Sequence, residues 1–65
     1  MARYFFTSKL DVTKTVRSAL ECGIDDIRII DCSGTAVGYW IDMDLSILDD
    51  EEEKYVSHFA EKVAA

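Results

Sequence analysis

The chain of 65 residues has no proline, only three glycines, two cysteines and a single histidine. Each shortage closes off a class of protein. With no proline, no linker-like stretch and no internal repeat, residues 1 to 65 read as a single domain. Three scattered glycines build no phosphate-cradling loop, because such loops gather several glycines into one turn. Cys22 and Cys32 form no CxxC pair, and a secreted domain of this size would carry more cysteines, so they read as reduced thiols in a cytoplasmic protein. His58 has no metal-spaced Cys or His companions, and no metal or other cofactor is expected. A nucleophilic Ser or Cys needs a base within hydrogen-bond reach, and neither cysteine lies near His58 in sequence; the expectation is a non-enzymatic protein with His58 at a helix surface. No apolar run approaches the roughly 20 residues that a membrane helix needs, and the N-terminus lacks the apolar core of a signal peptide. No stretch interleaves bases with aromatics, so direct contact with nucleic acid is not expected.

What the chain has is acid, unevenly placed. Its formal charge is −6, yet residues 1 to 20 carry Arg3, Lys9, Lys14 and Arg17 against Asp11, a local +3. Residues 21 to 65 carry twelve acids against Arg28, Lys54 and Lys62, a local −9. A field of that sign repels nucleic acid and anionic membrane, and favours a basic protein partner or a cation.

The hydrophobic pattern predicts an α+β fold, β-α-β-β-α, with a three-stranded sheet and two helices packed on one face. Its centre is the hairpin IRIIDCSGTAVGYWID, residues 27 to 42. A type I turn at Asp31-Cys32-Ser33-Gly34, with Gly34 at positive φ, pairs Asp31 with Thr35, Ile29 with Val37 and Ile27 with Tyr39. That register gathers Ile27, Ile29, Val37, Tyr39, Ile41 and Met43 on the face beneath the helices; a two-residue Ser33-Gly34 turn would scatter them over both faces. Arg28, Ile30, Ala36, Gly38, Trp40 and Asp42 take the other face. In the aromatic strand Arg3-Tyr4-Phe5-Phe6-Thr7, Tyr4 and Phe6 point one way and Phe5 the other. The first helix is expected to be capped by Asp11 or Thr13, to bury Val12, Val16, Ala19 and Leu20, and to end at a left-handed Gly23, leaving Lys14, Arg17, Ser18 and Glu21 wet. A right-handed crossover through it would make the first two strands parallel. The second helix is expected to start at an Asp49 cap with Glu52 as its capping-box partner, or one turn earlier at Ser46, and to bury Val56, Phe59, Ala60 and Val63.

The most unusual stretch is DMDLSILDDEEE, residues 42 to 53, with acids at Asp42, Asp44, Asp49, Asp50, Glu51, Glu52 and Glu53 and no base. As plain structure it is a helix N-terminus, where acids complement the macrodipole. As a calcium loop, Asp42, Asp44, Ser46, Asp50 and Glu53 fall at the first, third, fifth, ninth and twelfth positions of the EF-hand pattern. Ile47 then stands where that pattern needs glycine, and a strand rather than a helix leads in. As a recognition surface, the same acids present charge to a basic groove on a partner protein, in the manner of small DNA mimics and anti-defence proteins. With Trp40 and Ile30 on the open sheet face as an apolar anchor, this last reading makes the protein a binding module or inhibitor. The sheet face could equally pair two copies in a homodimer.

Overall fold

The computed structural model of the chain describes residues 2 to 31 and 38 to 64. They form β1 (Ala2–Phe6), α1 (Lys9–Glu21), β2 (Arg28–Asp31), β3 (Tyr39–Met43), α2 (Asp50–Ser57) and β4 (Lys62–Ala64). The α+β class is as expected, but the sheet has four strands, in the order β2-β3-β1-β4. β3 is antiparallel to both β1 and β2, so β1 and β2 run the same way with β3 between them rather than side by side. β4 lies antiparallel on the other edge of β1. The result is two interleaved split β-α-β units, the ferredoxin-like topology, which hosts many unrelated functions and carries none by itself.

The hairpin register differs from the expected one by four residues. Arg28 pairs with Asp42, Ile29 with Ile41, Ile30 with Trp40 and Asp31 with Tyr39. A slip by an even number leaves every side chain on its expected face. The three-residue loop is nevertheless excluded, since the pairing of Asp31 with Tyr39 leaves residues 32 to 38 between the strands. Gly34, Thr35, Ala36 and Val37 lie outside the described residues. β1 delivers Tyr4 and Phe6 to the helix side, where they face Ile41 and Tyr39, and pairs Phe5 with Trp40 on the other.

Ser8 caps α1, not Asp11 or Thr13: its Oγ accepts the Asp11 N–H at 3.4 Å and its carbonyl accepts from Val12. The helix ends in a Schellman motif. Gly23, at φ 86°, donates to the Leu20 carbonyl, and the Ile24 N–H reaches back to Ala19 at 2.9 Å. That turn seats Ile24 in the core, 5% exposed. α2 has the expected capping box: Glu52 N–H donates to Asp49 Oδ1 at 2.8 Å, and Asp49 N–H donates to Glu52 Oε1 at 3.3 Å. It is shorter than the apolar spacing suggested, and of its expected stripe only Val56 is fully buried. Val63 belongs to β4 instead, 61% exposed at the sheet edge. Glu61 fastens that strand, since its N–H donates to the Phe5 carbonyl while its carboxylate accepts from the Thr7 N–H and hydroxyl.

Both helices cover one face of the sheet. The core between the layers joins Tyr4, Phe6, Ile41 and Met43 to Val12 and Ala19 of α1 and Val56 of α2, with Leu45 and Ile24 closing one end. Thr15 is also buried there, whereas Leu20, expected inside, is 56% exposed. Ile29 keeps its expected face but is half exposed, because β2 is an edge strand.

Candidate functional site

Three separate segments bring their acids to one end of the molecule. The chain leaves α1 through Glu21, Asp25 and Asp26, leaves β3 through Asp44, and enters α2 through the capping acids. Asp25, Asp26 and Asp44 line one recess of about 210 Å3, floored by Ile24 and flanked by Ile47. Two neutral groups register the crowding. Burial first, then Glu52, Glu21 and Asp49, raise the Cys22 thiol above its ordinary value. Burial, then Glu53 and Asp44, raise the Tyr4 hydroxyl in the same way. Asp44 itself is held below the usual carboxylate range, chiefly by hydrogen bonds from Ser46, whose N–H donates to Oδ1 at 3.0 Å. Asp49 and Glu52 are engaged in the cap, while Asp50, Glu51 and Glu53 are exposed on the first turn of α2.

Asp42 lies near the same end of the sheet, opposite Arg3 and Arg28, but on the other face. It sits on the open sheet face, where the Arg3 guanidinium grips its carboxylate through two bonds of 2.7 and 3.0 Å. The Arg3 hydrogen bond, more than the charges of Arg3 and Arg28, holds Asp42 below the usual range. Trp40 and Ile30 share this face, on adjacent strands. Trp40 is half-buried rather than open, because Phe5 of β1 lies against it with ring centroids 4.8 Å apart at a 53° tilt. Phe5 in turn covers Gly38, where a Cβ would come within 2.5 Å of ring atom Cε1. Lys62 Nζ stands 5.7 Å from the Phe5 centroid.

The expected partner-binding set therefore divides. Trp40, Ile30 and Asp42 lie on the open face, while Asp44, Asp49, Asp50, Glu51, Glu52 and Glu53 belong to the helix side of the sheet. The EF-hand positions divide in the same way, with Asp42 held by Arg3 and Asp44 turned onto Ser46. Among the described residues no group of three or more His, Cys, Asp or Glu side chains is placed to hold a metal ion. Two features escaped the sequence reading. Asp25 and Asp26 join the acidic end, for which tertiary placement is the only signal. Arg3, Arg28 and Lys62 share the sheet face with Phe5 and Trp40, a basic and aromatic surface that no continuous stretch reveals but that strand alternation encodes. Cys22 is a half-buried free thiol, His58 caps the end of α2 with its ring edge-on to Phe59, and no helix among the described residues is long and apolar enough to cross a membrane.

Compared with protein-family models, curated proteins and solved structures, the chain finds no match in any of the three.

Proposed function

We propose that the protein is a non-enzymatic binding module that occupies a basic surface of a partner protein, including one that otherwise holds nucleic acid. The observation that carries this reading is the convergence of carboxylates from three segments on one end, felt by the Tyr4 hydroxyl and the Cys22 thiol. Like charges brought together repel, so their gathering costs stability that a basic partner would return on binding. The acidic end is the docking element in this reading. Trp40 is not its anchor, since it lies across the sheet from α2 and is half covered by Phe5.

The test separates the two surfaces. Asp25→Asn, Asp26→Asn, Asp50→Asn and Glu53→Gln together discharge exposed positions of the acidic end and leave the Asp49 and Glu52 cap intact. A tagged copy of the protein should retain a basic protein at low salt and release it as salt rises, because exposed charges are screened within about 10 Å at 0.1 M. The discharged variant should lose that protein and Trp40→Ala should keep it. Loss with Trp40→Ala and retention by the discharged variant would transfer the function to the sheet face and end the acidic-end reading.

A further inference from the structure

The outer side of the helix layer holds a groove of about 630 Å3, which adjoins the acidic end at Glu21 and Glu51 and whose basic and aromatic part lies outside both surfaces above. Its α1 wall is the face the sequence assigned to solvent, with Lys14, Arg17 and Glu21 recurring at helical spacing, and Glu51, Lys54 and Tyr55 recur in the same way on α2. The helices run in opposite directions, since Cys22 at the end of α1 senses Asp49 and Glu52 at the start of α2, and Lys14 near the start of α1 lies over Phe59 beyond the end of α2. That sense sorts the lining. Glu21 and Glu51 close one end, and Lys14 and Phe59 close the other, with Arg17, Lys54 and Tyr55 between.

We infer that this groove binds a small aromatic anion, a planar ring bearing a phosphate or a carboxylate. Three bases against two acids give the lining a formal +1 in a chain of −6, and the bases are concentrated away from Glu21 and Glu51. Among the described residues neither Arg17 nor Lys54 forms an ion pair, so two cations face the groove without a fixed counter-charge. Tyr55 is 56% and Phe59 39% exposed, and both line the same space, which offers a ring two aromatic walls. Lys14 Nζ, 5.2 Å from the Phe59 centroid, is held over one of them. The volume falls within the range of about 300 to 1,000 Å3 typical of small-ligand sites. Length argues the same way. At about 1.5 Å rise per residue, the stretch from Lys14 to Glu21 spans roughly 10 Å, enough for a ring and its anionic group and short for a peptide or nucleic acid strand.

Phenyl phosphate is the probe, with inorganic phosphate and phenol as its two halves, and NMR titration of the Tyr55 and Phe59 ring signals is the readout. Phenyl phosphate should shift both signals saturably and bind about tenfold more tightly than either half. Arg17→Gln with Lys54→Gln, both at exposed helical positions, should weaken phenyl phosphate by about tenfold and leave phenol binding unaltered, with the far-ultraviolet circular dichroism unchanged. Tyr55→Leu keeps every charge and is read independently: it should weaken phenyl phosphate and leave inorganic phosphate as it was. Shifts that fail to saturate, inorganic phosphate binding as tightly as phenyl phosphate, or a Tyr55→Leu protein that binds phenyl phosphate like the parent would each overturn the assignment.

Discussion

Thr15 shows most directly how a residue's chemistry and its place can disagree. It is 1% exposed on α1, and its Oγ1 has no hydrogen-bond partner, so a hydroxyl has been taken out of water with nothing in return. Thr15→Val replaces that hydroxyl by a methyl of similar size and should stabilise the protein by about 1 kcal/mol, an uncommon direction for a core substitution. Urea unfolding of the two proteins would measure it; an unchanged or lower midpoint would mean that Oγ1 finds a partner in solution. The same position marks a limit of reading by residue type. Val12, Thr15 and Ala19 share the buried side of α1, and a pattern search that counts only apolar residues skips the threonine and takes Leu20, one position past Ala19, in its place. On the strands, where alternation has period two, the faces of Tyr39, Trp40 and Ile41 were legible, whereas the first strand's alternation set Phe5 against Tyr4 and Phe6 without saying which side lies beneath the helices.

Elements were legible where their ends carry local chemistry. Asp49 and Glu52 announce the start of α2, and Gly23 the end of α1, because each motif is complete within a few residues. Ser8 was hidden by Asp11 and Thr13, which also suit a cap; the longer helix wins because it starts directly after β1. β4 left no trace in the sequence, since Lys62–Ala64 is too short to show alternation and is held by the backbone of β1 and by Glu61. Loop length in the hairpin was equally hidden, because registers four residues apart leave the same faces buried. The capping box is the firmest local device here. Asp49→Ala removes the acceptor for the Glu52 N–H and should lower stability by about 1 kcal/mol, while Asp50→Ala, one position into the helix and outside the box, should cost less. Thermal unfolding of both variants measures the difference, and equal losses would assign the effect to helix-dipole charge instead.

At the scale of the whole molecule, charge is sorted in a way the linear sequence conceals: acids from three segments share one end on the helix side, while Arg3, Arg28 and Lys62 share the open sheet face with Asp42. The sorting predicts stability that falls on both sides of neutrality. Asp42 and Asp44 have folded values below their unfolded ones, so the stabilisation they contribute is complete above the ordinary carboxylate value of about 4 and is lost as pH falls through the depressed folded values. Cys22 and Tyr4 are shifted the other way. Their contribution is complete below the ordinary thiol and phenol values of about 8.5 and 10, and is lost as pH rises through the raised folded ones. A plot of melting temperature against pH should therefore be a plateau with an acid and an alkaline limb, and the two limbs answer to different groups. Arg3→Gln removes the hydrogen bonds that hold Asp42 down, so it should make the acid limb shallower while leaving the alkaline one in place. Glu53→Gln removes a charge that raises Tyr4, so it should lower the Tyr4 value measured by NMR and leave the acid limb unchanged where Asp42 governs it. An acid limb that Arg3→Gln does not alter would show that the Arg3 and Asp42 pair is too exposed to set the profile, as surface ion pairs often are.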